Sequence, residues 1–127
     1  MQYTRTAATP EGGSRFEDVE VPDRMAEVVP GRPAFSSGDA IATAGARLLR
    51  IGAGWDGSWH PSPKRWFVVT LAGEVEVTTT DGETRRFGPG SLWLVDDTTG
   101  RGHNTRILSD WSGFGVDLAD QAPAPAV

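Results

Sequence analysis

Gly54-Trp55-Asp56-Gly57-Ser58-Trp59-His60-Pro61-Ser62-Pro63-Lys64-Arg65-Trp66-Phe67-Val68-Val69-Thr70-Leu71-Ala72-Gly73 is the stretch on which the fold turns. Its first half is rich in turn formers and carries one histidine after two tryptophans. Its second half, Trp66 to Leu71, is rich in β-formers and apolar at both parities, which predicts a strand buried on both faces. Gly73 then reads as a turn, and Glu74-Val75-Glu76-Val77-Thr78-Thr79-Thr80 alternates with period two, one face inward and one outward.

Working outward, Asp81-Gly82 is a two-residue hairpin signal that returns the chain through Thr84-Arg85-Arg86-Phe87. Gly88-Pro89-Gly90 turns again into Ser91-Leu92-Trp93-Leu94-Val95. A loop from Asp96 to Gly102 leads to His103–Leu108. The last strand runs from about Trp111 to Leu118, with Phe114, Val116 and Leu118 on one face. On the N-terminal side, Ala46–Ile51 and Ile41–Thr43 read as strands around Ala44-Gly45, and Arg15–Val21 reads as a strand stopped by Pro22-Asp23. Residues 22–38, with Pro22, Pro30, Gly31 and Pro33, read as an irregular arm, and residues 1–14 as a loose lead-in. The Pro/Ala-rich tail, 119–127, is expected to be disordered. Many short strands joined by Gly/Pro turns, with no helical apolar period and no internal repeat, predict an all-β barrel or sandwich.

The 127 residues suffice for one domain with a real core. There is no transmembrane-length apolar run and no apolar signal-peptide region after Met1, so the expected location is cytoplasmic. With no cysteine, disulfide frameworks and thiolate metal sites are excluded. A net charge of -5 with only two basic pairs, Lys64-Arg65 and Arg85-Arg86, argues against nucleic acid as a partner. No membrane partner is expected either.

Gly54, His60 and Gly73 stand in the spacing of the first cupin motif, G-x5-H-x-H-x3-E-x6-G, and residues 40–118 resemble the small single-domain cupins. Leu71-Ala72-Gly73-Glu74-Val75-Glu76-Val77 is similar to the hairpin of that fold. Phe87-Gly88-Pro89-Gly90 looks like the lead into the second motif, G-x5-P-x-G-x2-H-x3-N, whose end matches Gly100-x2-His103. The resemblance implies an antiparallel cupin-type β-barrel, or jelly roll, over 40–118, preceded by an arm and first strands over 1–39. It also implies a homodimer, with 15–38 as a pairing element. The ligand positions depart from the motif: Ser62 replaces the second His, Trp66 replaces the Glu, Asp96 stands near the usual Pro, and Ile107 replaces the final Asn.

His60 and His103 are the only histidines, and the resemblance places both on the barrel interior. A catalytic metal usually takes three protein ligands. Trp66 carries an indole N–H that donates only, and Ser62 is a weak ligand. A divalent metal would therefore need His60, His103 and a displaced carboxylate from Asp56 or Asp97, so no cofactor is the primary expectation. Two imidazoles without metal still offer an acid and a base. Trp66, Trp59 and Trp55, with Ser62 and Thr70, are the expected substrate-binding wall of a pocket for a hydrophobic small molecule. Arg47, Arg50, Arg101 and Arg106 are candidates to hold a carboxylate if they face inward.

Three functions follow. The first is a metal-independent isomerase, dehydratase or cyclase acting by acid–base or proximity catalysis, which the resemblance associates with secondary metabolism. The second is a metal-dependent dioxygenase or lyase. The third is a binding protein without chemistry.

Overall fold

The structure, a computed structural model, describes residues 1–121, so residues 122–127 of the expected disordered tail lie outside the described residues. The described residues are all-β, with ten strands. These are β1 (Gln2–Ala8), β2 (Ser14–Glu20), β3 (Asp23–Ala26), β4 (Phe35–Gly38), β5 (Thr43–Ile51), β6 (Asp56–His60), β7 (Trp66–Thr78), β8 (Thr84–Phe87), β9 (Leu92–Val95) and β10 (His103–Leu118). Eight of them form one sheet in the order β2-β1-β9-β7-β10-β5, with β6 on β10 and β8 on β7.

The two long strands bend the sheet into a jelly roll. The first part of β10 pairs with β6 and with the second half of β7, through His103↔His60 and Thr105↔Val77. The later part of β10 pairs with β5 and with the first half of β7, through Phe114↔Leu48 and Phe114↔Val69. Register shifts between Ile107 and Gly113 mark the bend, where each extra residue unpairs locally and sharpens the twist. Gly73 sits opposite this bend with φ +80°, and a Cβ there would collide with the Asp110 carbonyl. It is therefore a bend inside one strand, not the expected turn. In the same way Trp111 continues β10, and residues 43–51 form one strand without the expected turn at Ala44-Gly45.

The sheet is curled but open, and it is mixed, because β1 runs parallel to β9 through Thr4↔Trp93 and Thr6↔Val95. This pairing corrects the reading of residues 1–14 as a loose lead-in. Thr6 and Ala7 are fully buried, and the Trp93 indole donates to Thr6 Oγ1 at 2.7 Å. The alternation of small and polar residues in Gln2–Ala8 gives no apolar period to read. The arm contains a separate β3–β4 hairpin that pairs with no other strand among the described residues.

Two apolar clusters lie on opposite faces of the sheet. Val68, Val75, Trp93, Val95, Ile107 and Trp111 belong to the inner one; Phe67, Leu94 and Leu118, with Tyr3, Leu92 and Val116, form the outer one. Adjacent residues Phe67 and Val68 are both buried on opposite faces, as the two-parity run predicts. Phe114, Val116 and Leu118 share the outer face, whereas the inner face of β10 carries Gly113 and Gly115. A Cβ at Gly113 would strike the Trp111 ring, and one at Gly115 would strike the Trp66 ring at 2.7 Å, so these glycines make the room for two indoles.

Candidate functional site

A cavity of about 130 Å³ opens between the two halves of the bent sheet. Its apolar wall is built by Trp66 and Val68 of β7, Trp93 of β9, Trp111 of β10 and Ile51 of β5, with Trp55 beside them just ahead of β6. His60 and His103 provide its polar end. They are partners in the antiparallel β6–β10 ladder, and their ring centroids lie 5.0 Å apart with planes tilted by 53°.

This close pairing depends on Gly102. Its φ is +78°, and a Cβ there would overlap the His60 carbonyl, so only glycine lets β10 begin against the end of β6. Ser14 donates to the Gly102 carbonyl at 2.7 Å, which ties the same point to β2. The preceding loop is held as firmly. Ser62 N donates to the Asp97 carbonyl at 2.9 Å, and Arg101 N to the Gly12 carbonyl at 2.9 Å. The fully buried Asp96 carboxylate receives Arg5 Nε at 2.8 Å and Arg65 Nε at 2.5 Å. Buried charge of this kind is tolerated when it is paired on both oxygens.

The two histidines have different supports. His103 is buried, and its Nδ1 lies 2.6 Å from Oδ2 of Asp97, which has no exposed surface. Burial pushes the Asp97 carboxyl above its usual value, and the hydrogen bond and charge of His103 oppose that rise. The other oxygen, Oδ1, is buried without a hydrogen-bond partner. An ionised Asp97 only accepts, so His103 Nδ1 donates and the free ring nitrogen is Nε2. This arrangement, a carboxylate fixing the tautomer of a histidine that faces a cavity, suits a general base, because it also stabilises the imidazolium formed by proton uptake. His60 is half-buried, and its Nδ1 lies 3.1 Å from the carbonyls of Gly57 and Ser58. Carbonyls accept, so His60 also donates from Nδ1 and leaves Nε2 free.

Of the expected wall residues, Trp66, Trp55 and Ser62 line the cavity. Trp59 does not: it lies on β6 with the Arg101 guanidinium 4.3 Å over its ring. Thr70 is buried away from the cavity, accepting from Trp111 Nε1 at 3.0 Å. Trp93, read only as part of the strand Ser91–Val95, and Trp111, read as the start of a strand, also wall the cavity, and the signal available was the small residues at Gly113 and Gly115 opposite large indoles. None of the candidate arginines lines it. Arg47 pairs with Asp117 at 2.6 Å, Arg106 with Glu76 at 3.5 Å, and Arg50 is exposed.

The cupin motif implies a metal, and the donor set here does not fit one. Among the described residues no group of three His, Cys, Asp or Glu side chains is placed to hold an ion. Asp97 is committed to His103 Nδ1, on the side of the ring away from Nε2. Asp56 is exposed and accepts from Ser58 N at 2.8 Å. The carboxylate position of the motif is filled by Trp66, whose ring carries Lys64 Nζ at 4.8 Å.

No protein-family model and no curated protein matches the chain. Solved structures do. The DMSP lyase DddQ from Ruegeria pomeroyi DSS-3 matches with a TM-score of 0.50 and 24% identity over 84% of this chain, which spans 51% of that enzyme. The conserved SPY1581 protein of unknown function from Streptococcus pyogenes matches at 0.49 and 18% identity, covering 81% of this chain and 77% of its own. The Cnp3 cupin domain of Schizosaccharomyces pombe matches at 0.44 and 16% identity, covering 94% and 88%. The chain has a small cupin-like jelly-roll fold. No helix of the described chain is long and apolar enough to cross a membrane.

Proposed function

We propose that this protein is a small cupin-type enzyme that acts on a hydrophobic small molecule by metal-independent acid–base catalysis. The observation that carries the reading is the His60–His103 pair, 5.0 Å apart at the end of an otherwise apolar cavity, with His103 backed by buried Asp97. In this mechanism His103 Nε2 takes a proton from the substrate, and the imidazolium so formed is stabilised by Asp97. The His103 imidazolium then returns that proton from Nε2 to a second substrate atom, while His60 Nε2 accepts a hydrogen bond from the substrate. The electron pair released at the first atom moves within the substrate, so no oxidant is consumed. The proton that His103 takes up is the one it returns, so the site ends the step as it began. Isomerisation, dehydration and ring closure all fit this balance, and the indole walls would hold a flexible substrate in a reactive shape.

The DMSP lyase likeness supports the scaffold; the reaction is argued from the side chains. A binding role without turnover is the second reading, favoured by the fact that apolar contacts dominate the wall. We further propose a cytoplasmic homodimer in which the unpartnered β3–β4 hairpin, with exposed Met25 and Phe35, covers the exposed strand β5 of a second copy. The test of function is turnover of apolar hydroxy-carbonyl and alkene substrates by chelator-treated protein, compared with His60→Ala and His103→Ala. Turnover retained after chelation and lost in both variants supports acid–base catalysis. Turnover abolished by chelation and restored by metal sinks it, and binding without turnover leaves the second reading.

A further inference from the structure

The polar groups around the cavity restrict what it can accept. Both histidines spend their Nδ1 hydrogen outside it, His60 on the Gly57 and Ser58 carbonyls and His103 on Asp97. A neutral imidazole has one N–H, so each ring offers a bare, accepting Nε2. Three of the nearby donors are already used, which leaves the indole N–H groups of Trp55 and Trp66 as the donors among the lining residues. Trp93 Nε1 donates to Thr6 Oγ1 at 2.7 Å, Trp111 Nε1 to Thr70 Oγ1 at 3.0 Å, and Ser62 Oγ to the Lys64 carbonyl at 2.6 Å. Thr105 supplies one hydroxyl on the wall that serves in either role.

Fixed charge at this end is also one-sided. Asp97, fully buried, stands directly behind His103, and one of its oxygens has no partner. No arginine or lysine lines the cavity. The guanidinium groups of Arg5 and Arg65 are bound to Asp96, and Lys64, over the Trp66 ring, is bound to Asp117. An entering anion would meet a buried carboxylate with no cation to compensate its desolvation, which is expensive. A ligand bringing O–H or N–H groups would instead complete two unsatisfied acceptors, and a site built around acceptors rejects analogues that lack the donor.

We propose that the cavity selects a small, flat, non-anionic molecule that carries O–H or N–H donors, of the phenol or aromatic-amine class. Its O–H or N–H would donate to Nε2 of His60 or of His103, with its body between the indoles of Trp66, Trp93 and Trp111. The cavity volume of about 130 Å³ suits a single six-membered ring, since a dry apolar cavity of about 150 Å³ holds benzene. The proposal takes the histidine pair as the working end of the site, as the acid–base reading does, but it does not require turnover.

The test uses the full chain, labelled with ¹⁵N, at about pH 8, where an ordinary imidazole is neutral. Phenol, anisole and benzoate are titrated as probes while the histidine ring nitrogens and tryptophan indole N–H signals are followed. Phenol is expected to shift both histidines saturably. Anisole, which keeps the ring and loses the donor, and benzoate, which adds the charge, are each expected to bind at least tenfold more weakly. In His60→Leu, a change at a half-buried ring, the advantage of phenol over anisole should shrink. Anisole or benzoate binding as tightly as phenol overturns the proposal, and so does failure of phenol to bind saturably. Donor selectivity without any turnover would sink the acid–base reading alone, whereas turnover of an anionic substrate without donor selectivity would sink this proposal alone.

Discussion

The floor and the mouth of the cavity are built on opposite plans. At the floor, residues 96–103 are pinned by Arg5, Arg65, Gly12, Ser14 and Ser62, and His103 is locked to a buried carboxylate. At the mouth, Trp55 is 46% exposed, Ser58 has a left-handed φ of 54°, and His60 is held only through neutral carbonyls. A site that must bind and release a ligand needs rigid chemistry and a yielding rim, and here the two are placed on different strands that meet along the β6–β10 ladder, at whose end His60 pairs with His103.

The largest effect should come from Gly102→Ala, which joins the two regions by force. It puts a non-glycine residue at φ +78° and drives a Cβ into the His60 carbonyl. Backbone strain and overpacking together predict a loss of about 3 kcal/mol in a denaturant titration. A loss below about 0.5 kcal/mol, the size of an ordinary surface substitution, would show that the contact between floor and mouth is loose.

Next comes Asp97→Ala, which leaves a buried His103 N–H unpaired, with an expected cost of about 1–3 kcal/mol. Asp97→Asn should cost less and change the pH dependence. Burial raises the Asp97 carboxyl in the folded chain, against the opposing pull of His103, so the folded state binds that proton more readily than the unfolded one. The resulting stabilisation is complete below the ordinary aspartate value of about 3.9 and is lost as pH rises through the raised folded value. Stability profiles of the parent and Asp97→Asn should therefore diverge as pH rises from the ordinary aspartate value through the raised folded one; parallel profiles would mean that Asp97 is not the titrating partner at the floor.

Trp66 separates the cavity from a metal site. Trp66→Glu restores the carboxylate of the motif beside both histidines and should raise uptake of divalent metal, read by elemental analysis. Trp66→Ala should weaken phenol binding by about 1–3 kcal/mol, the range for losing a large aromatic contact. If neither changes, Trp66 serves packing alone. The smallest effect is predicted for Trp55→Ala. Half in solvent, Trp55 should contribute under about 1 kcal/mol to stability, but its loss should speed ligand dissociation. A stability loss as large as that of Gly102→Ala would erase the distinction between rim and floor.

Much of this was legible from residue patterns. Phe67-Val68 announced a strand buried on both faces, Asp81-Gly82 the hairpin, and the resemblance to the cupin motifs implied that His60 and His103 share an interior. The parallel docking of β1 was hidden because Thr6 and Ala7 are buried through a hydrogen bond to Trp93 and close backbone approach, not through an apolar period. Gly73 misled for a related reason: a positive φ is shared by turns and by bends within a strand, and the difference lies in what the neighbouring strand does at Asp110. The exclusion of Trp59 and Thr70 from the cavity likewise depended on side-chain direction. So did the role of Asp97, which sequence allowed as a displaced metal ligand and geometry turns toward His103 Nδ1.

The central claim is that both histidines hold their hydrogen on Nδ1 and turn a free Nε2 to a shared cavity. With only two histidines in the chain, long-range ¹H–¹⁵N correlation of the ring nitrogens tests it without ambiguity of assignment class. At about pH 8 the account predicts the Nδ1–H tautomer for both rings, with that of His103 lost or mixed in Asp97→Ala while that of His60 persists. An Nε2–H tautomer at His103 in the parent protein, or a His103 tautomer indifferent to removal of Asp97, would contradict it.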